Sequence, residues 1–143
     1  MNPICNCLSL RQASRRVTQL YDRALAPLDL RTTQLSMLGT IDQLGATPLN
    51  ALAEAMVMDR ATLGHNVRPL QARGLVRLAV GRDRRSREVS LTQKGRKTLA
   101  EAWKHWRRAQ NAFETEIGPD TAATLRGLLH RVSATAFALD PSK

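Results

Sequence analysis

Between residues 8 and 28 apolar side chains recur every three or four positions, through Leu10, Ala13, Val17, Leu20, Tyr21, Ala24 and Leu28. That spacing predicts a long helix with one apolar face. Arg11, Arg15, Arg16 and Arg23 fall on its other face, and Pro27 lies near its end. Asp29 to Thr32 reads as a linker, with Thr32 or Thr33 as the cap of a second helix. Leu35, Leu38, Ile41 and Leu44 line the core face of that helix, and Gly45 ends it. Two further long helices are predicted near the other end of the chain. Residues 93–117 carry the stripe Leu99, Ala102, Trp103, Trp106, Phe113 and Ile117, broken by Gly118-Pro119. Residues 120–139 carry Leu125, Leu128, Leu129, Val132, Ala136 and Leu139.

Between these long helices the pattern shortens. Thr47-Pro48 fits an N-cap followed by proline at the first helical position. Leu49, Leu52, Ala53 and Met56 then recur at helical spacing. Asp59 caps the next helix, whose inner face is Leu63, Val67 and Leu70, while Arg60, Thr62, His65, Asn66 and Arg68 point elsewhere. Gly74 stops it. Pro69 inside it predicts a bend or a lost hydrogen bond. Leu75 to Leu78 and Glu88 to Leu91 alternate as strands. Between them lies a basic tip, Arg82-Asp83-Arg84-Arg85-Ser86-Arg87. Thr92-Gln93-Lys94-Gly95 opens the following helix. Two short helices, a tight turn and a basic hairpin can set one helix in a DNA major groove. The hairpin then reaches the adjacent minor groove or the phosphates.

Charge sharpens this picture. The chain of 143 residues carries a formal net charge of +10. Residues 57–108 hold fourteen Lys or Arg and four Asp or Glu, and the rest of the chain holds eight of each. The whole surplus sits on the second short helix, the hairpin and the helix after it. A localised surplus is the footprint of a polyanionic partner. The alternatives are a solvated basic face or an anionic membrane surface, but a turn-rich basic segment is a poor membrane binder. No apolar run approaches the ~20 residues that span a bilayer. The start of the chain lacks the charged and apolar regions of a signal peptide, so a cytoplasmic protein with reduced thiols is expected. There is no G-x-S-x-G, no Walker loop and no H-E-x-x-H. His65, His105 and His130 form no ligand-spaced pair, so neither a metal nor a cofactor is implied and an enzyme is not expected.

Three fragments, taken in order, resemble the MarR family of bacterial winged helix-turn-helix regulators. They are Met58-Asp59-Arg60-Ala61-Thr62-Leu63, Leu70-Gln71-Ala72-Arg73-Gly74-Leu75-Val76, and Asp83-Arg84-Arg85-Ser86-Arg87-Glu88-Val89-Ser90-Leu91-Thr92. Asp83, Arg85, Leu91 and Thr92 match the family's wing pattern D-x-R…L-T. The resemblance extends over most of the chain. It implies a mainly α fold of about six helices with a small β-hairpin wing, forming a single domain over residues 1–143. Residues 32–95 would form the winged helix-turn-helix unit, and 1–31 with 96–143 a helical dimerisation region. The apolar stripes of the outer helices are too long for so small a core, and a second copy would bury them. The implied function is that of a homodimeric repressor on a pseudo-palindromic site in double-stranded DNA, released by a small-molecule effector.

Candidate residues follow. Thr62 and Asn66 suit base edges, and His65 can donate to a base or a phosphate; a solvated helix surface is the other possibility. Gly64 removes a contact that the family often makes. Arg85 matches the family's minor-groove arginine, drawn to the negative potential of a narrow groove. Asp83 is expected to support the wing by a bidentate pair with it. Arg82, Arg84, Arg87, Arg60 and Arg68 complete the DNA-binding set. Trp103 and Trp106 either line a pocket for an aromatic acid received by Arg11 or Arg15, or are simply core or dimer interface. Cys5 and Cys7 have poor zinc spacing, and a disulfide between them would be strained. Cys7-Leu8-Ser9-Leu10…Ala13-Ser14-Arg15 is similar to the run holding the reactive cysteine of the family's organic-hydroperoxide sensors. Tyr21 matches one tyrosine serving that cysteine, but Arg11 and Thr32 stand where two others would be. Arg11, one turn away, can favour a thiolate at Cys7. Three readings therefore stand: a regulator released by an acid effector, a redox switch at Cys7, and an architectural DNA-binding protein without effector.

Overall fold

In a computed structural model of the chain, residues 4–138 are described. Helix α1 spans Asn6–Leu25, α2 Thr32–Leu44, α3 Leu49–Ala55, α4 Arg60–Ala72, α5 Gln93–Ile117 and α6 Pro119–Ser133. The strands are β1 Thr47–Pro48, β2 Val76–Val80 and β3 Arg87–Leu91. They form one antiparallel sheet in the order β1-β3-β2, with Val76 opposite Leu91 and Thr47 opposite Val89. The mainly α fold with a small wing is thus the one expected. The chain divides into two compact units, residues 1–109 and 110–143, and the boundary falls within α5.

In the first unit, Leu25, Leu30, Leu35, Met37, Leu38, Ile41, Leu52, Leu63, Val67, Leu70, Leu75, Val89 and Leu99 form one buried cluster. Trp106 packs against its edge. Helix α2 is the most enclosed element. Trp103 lies so close to it that a β-carbon added to Gly39 would come within 3.1 Å of the indole. In the second unit, Glu114 accepts from Gln110 at 2.6 Å and from Arg126 at 3.0 Å, tying the end of α5 to α6.

Several boundaries differ from the expectations. The α1 helix begins at Asn6, with the Cys5 thiol accepting from the Leu8 N–H. It gives way at Ala26 to a tighter turn over 26–28, because Pro27 lacks an N–H to continue the ladder. Pro48 is not the first helical residue. It is the extended cap of α3, because Thr47 pairs with β3 and is buried there. Neither Thr32 nor Thr33 caps α2. Thr32 is its first helical residue and Arg31 its N-cap, whose N–H donates to the Gln34 side chain at 3.0 Å; from α1 the Asp22 carboxylate accepts from both the N–H and the hydroxyl of Thr32, each at 2.7 Å. Leu44 is 50% exposed, and Met37 takes the core position instead. The α6 helix ends at Ser133 rather than 139, where the Ser133 and Thr135 hydroxyls bond back to the carbonyls of Leu129 and Arg131. Ala136 lies beyond it, and Leu139 falls outside the described residues. Helix α4 continues through Pro69 to Ala72.

One close approach holds α4, β2 and α5 in register. Gly95 sits against the backbone of Leu75, and an added β-carbon would overlap the Leu75 carbonyl oxygen. Gly127, in α6, faces open space. Gly95→Ala should therefore cost about 1–3 kcal/mol or more through forced backbone movement. Gly127→Ala should gain up to ~1 kcal/mol from helix propensity. Denaturant unfolding of both variants checks the pair; equal effects would contradict it.

Candidate nucleic-acid interface

Helices α3 and α4 form the helix-turn-helix. The turn between them holds Val57 at φ 52°, a left-handed conformation uncommon for a β-branched residue. Asp59 then caps α4, as expected. One carboxylate oxygen accepts the Thr62 N–H at 2.8 Å and the other the Thr62 hydroxyl at 2.7 Å. These bonds, the backbone one first, hold the Asp59 carboxyl below the ordinary aspartate range. The Thr62 hydroxyl proton is thereby committed to the cap, and Asn66 donates to the Thr62 carbonyl at 2.8 Å. Arg60, His65 and Arg68 are exposed and Asn66 is half-buried, while Leu63, Val67 and Leu70 face the core. Helix α4 thus presents its polar face outward by the same periodicity that buries its leucines.

The wing tip is built by its own backbone. Gly81 N–H donates to Ser86 C=O at 2.8 Å, and Ser86 N–H to Asp83 C=O at 2.8 Å. The expected Asp83–Arg85 guanidinium pair does not form. Instead the Asp83 carboxylate accepts the Arg85 backbone N–H at 3.1 Å, an aspartate turn that closes onto the residue two places on. The short aspartate reaches this near amide more readily than the far end of a side chain pointing into solvent. Arg82, Arg84, Arg85 and Arg87 are exposed, and among the described residues none is in an ion pair.

A set of positioning residues was missed in the sequence. At the end of α4, Gly74 takes φ 69°. The Arg73 guanidinium donates to the carbonyls of Leu28 and Asp29, anchoring α4 to the α1–α2 junction. Lys94 donates to the Arg73 carbonyl at 2.7 Å. The Thr92 hydroxyl donates to the Gly74 carbonyl at 2.6 Å and accepts the Gly95 N–H at 2.9 Å. The run Arg73-Gly74 and Thr92-Gln93-Lys94-Gly95 signals helix ends, but not that these ends meet.

The other candidates are dispersed. Trp103 and Trp106 meet edge to face with centroids 5.4 Å apart. Arg11 is exposed, and Arg15 lines a shallow groove along α1 with Gln12, Arg16 and Gln19. Neither arginine bonds to another described residue. Cys5 and Cys7 are free and exposed. Among the described residues no cluster of His, Cys, Asp or Glu could hold a metal, and no helix is long and apolar enough to cross a membrane.

A helix-turn-helix with a capped, outward-facing second helix and a basic β wing defines the winged helix-turn-helix class of DNA-binding transcriptional regulators. Comparison with known proteins agrees. The chain is 34% identical to the M. tuberculosis transcriptional regulator MosR, solved in complex with DNA; the match covers 92% of this chain and 98% of that one, with a TM-score of 0.79. It is 27% identical to the transcriptional repressor CouR bound to a 23-mer DNA duplex, covering 90% and 92% of the two chains with a TM-score of 0.83. Among curated proteins it is 25% identical over 124 residues to the HTH-type transcriptional regulator YwaE of Bacillus subtilis (strain 168), which spans 86% of this chain and 72% of the relative. No family model matches the chain. The chain belongs to the MarR family of winged helix-turn-helix transcriptional regulators.

The Asp59 cap yields a test of how α4 is held. Its carboxyl is lowered in the fold, so the stability it adds is present above the unfolded-state pKa of about 3.9 and is lost as pH falls through the folded value. Asp59→Ala should lower the melting temperature at neutral pH, and the gap to wild type should narrow below about pH 4. A gap that persists undiminished in acid would remove the carboxylate from the explanation.

Proposed function

We propose that the chain is a homodimeric repressor that binds a pseudo-palindromic operator in double-stranded DNA and is released by a small aromatic acid. The observation that carries the DNA reading is the exposure of Arg60, His65 and Arg68 on the helix leading into the wing, whose tip arginines are also exposed and free of ion pairs. Thr62, His65 and Asn66 read the major groove, Arg60 and Arg68 flank them, and Arg85 enters the minor groove. Arg82, Arg84 and Arg87 hold phosphates, so affinity falls steeply with salt. Residues 32–95 act as the DNA-binding unit, and 1–31 with 96–143 as the dimerisation region. In support, Leu8 and Leu10 on α1 and Leu125, Leu128, Leu129 and Val132 on α6 remain exposed in the single chain. Two copies covering these residues would also set two α4 helices on two half-sites. The acid effector is the class that the family resemblance implies, and the cytoplasm is the compartment that such a regulator requires.

Arg85→Ala should cost about 1–3 kcal/mol at an operator obtained by selection from random duplexes. His65→Ala should relax sequence preference more than it weakens overall binding. Both are read by fluorescence anisotropy over a salt series. Wild-type behaviour of both variants refutes the docking, and a selection that yields no sequence preference supports the architectural reading instead.

A second reading has its own observation: Cys5 and Cys7 are both free and exposed at the start of α1. There Cys7 would sense an oxidant, with a resolving thiol from the second subunit or a small cellular thiol. The acid reading predicts that Cys7→Ser still binds operator and still responds to aromatic acids. Hydroperoxide release that vanishes in Cys7→Ser, with no response to any acid, would reverse the order of the two.

A further inference from the structure

The two faces of the wing differ beyond the edge of the core. Residues directly opposed in an antiparallel pair share a face. The register therefore sets Val76 with Leu91, Leu78 with Val89 and Val80 with Arg87 on the inner face. Arg77 with Ser90 and Ala79 with Glu88 lie on the outer face. Burial falls along the inner face toward the tip. Val76, Val89 and Leu91 are buried, Leu78 packs against the edge of the core, and Val80 is 70% exposed. Strand rise sets Val80 about 7 Å beyond Leu78. The apolar stripe that seats the wing on the domain thus runs on past its last core contact.

Charge also separates the two faces near the tip. On the outer face the Glu88 carboxylate accepts the Arg82 N–H at 3.5 Å. An acid there repels phosphate. On the inner face Val80 stands opposite Arg87, which is exposed and in no ion pair among the described residues. The other carboxylate of the tip, Asp83, is bonded to the Arg85 N–H. The inner face thus offers an apolar side chain and a guanidinium side by side, directly behind the tip arginines. The wall of a DNA groove has the same two parts, because phosphates alternate with deoxyribose rings whose C–H edges are apolar. Valine favours strands, and a single exposed valine is ordinary. Strand preference does not explain why this one shares the acid-free face with Arg87.

We propose that Val80 is an apolar contact to DNA: as Arg85 enters the minor groove, the Val80 methyls pack against deoxyribose rings of the groove wall, and Arg87 takes the phosphate beside them. This rests on the wing docking proposed above and adds to it a contact that is not electrostatic. Val80 is the last residue of β2 and lies behind the tip. It therefore meets the sugar wall instead of wedging between base pairs, the other use of apolar side chains in this groove. The contact depends on groove width. In A·T-rich sequence the walls stand closer together, and Val80 loses more water between them. Val80 thus favours the same sequences as Arg85 without touching a base. Its share of the affinity does not fall with salt, because it neutralises no phosphate and releases no counterion.

The test compares Val80→Thr with Val80→Ile in the full chain. Both keep a β-branched side chain and its strand preference, but threonine replaces a methyl by a hydroxyl. Binding to an operator obtained by selection is read by anisotropy over a salt series, with Arg85→Ala alongside. Val80→Thr should weaken binding about fourfold for each bound wing, as the loss of one buried methyl does. Its salt slope and the melting temperature of the free protein should match wild type. Val80→Ile should bind at least as tightly as wild type, and Arg85→Ala should lower the slope by about one per wing. In the wild-type complex, NMR on methyl-labelled valine should show nuclear Overhauser contacts from Val80 to deoxyribose protons, a readout that needs no variant. If Val80→Thr binds as wild type, or if those contacts are missing, the inference is wrong, and a weakened Arg85→Ala leaves the docking standing. A loss shared equally by Val80→Ile, or one that comes with a changed slope or melting temperature, marks a structural role and also overturns it. If Arg85→Ala binds as wild type too, the docking falls and the inference with it.

Discussion

The packing of Gly95 onto the backbone of Leu75 is the constraint on which the DNA-reading geometry depends. There the end of α4, the start of β2 and the first turn of α5 come together without a side chain between two of them. Thr92 and Lys94 bond to the carbonyls of Gly74 and Arg73, so the residues just past α4 are tied to the start of α5. Bonding these carbonyls across elements fixes the angle at which the helix leaves. Arg73 extends the same junction to the loop after α1. The recognition helix is thus held at its start by the Asp59 cap and at its end by the loop after α1 and the turn into α5.

Electrostatics then separates support from function. The carboxylates in this fold mostly serve backbone or local partners: Asp22 caps α2, Asp59 caps α4, Asp83 closes the wing turn. Among the described residues no carboxylate pairs with the arginines of the outer face of α4 or of the wing tip, so those basic groups remain available. Exposed ion pairs would add little stability, so leaving these arginines unpaired costs the fold little. A nucleic-acid backbone meeting such groups would release its condensed counterions, which is the energetic basis of the contacts proposed above.

Apolar surface is distributed just as unevenly. The first unit encloses a continuous cluster around α2, whereas α6 buries only Ala122 among its residues and leaves its leucines exposed. A helix with so little cover is a poor independent element, since most helical stability comes from packing an apolar face. The exposed leucines of α6 are the physical ground for the homodimer proposed above.

The helices, the two long strands, the capping by Asp59, the stop at Gly74 and the exposed basic wing were legible because each is written in local periodicity or in a residue with one dominant conformational use. The family resemblance was legible for the same reason, since its fragments are local. What was not legible required residues distant in sequence to meet. Thr32 or Thr33 is the cap that local sequence suggests for α2, because Asp22, ten positions before Thr32, offers no local sign that it will reach the Thr32 N–H. Asp83 was given to the wrong end of Arg85, because sequence spacing does not tell a backbone amide from a guanidinium. Arg77 and Arg96 lie nineteen positions apart, and only the sheet register and the return of α5 against it bring them to one cleft. The sequence by itself determined which segments are helix or strand and which face of each is polar, because those depend on neighbours three or four residues away. Tertiary structure alone decided which helix ends cap one another and which charges share a site, because those bonds are satisfied only once the chain has closed on itself.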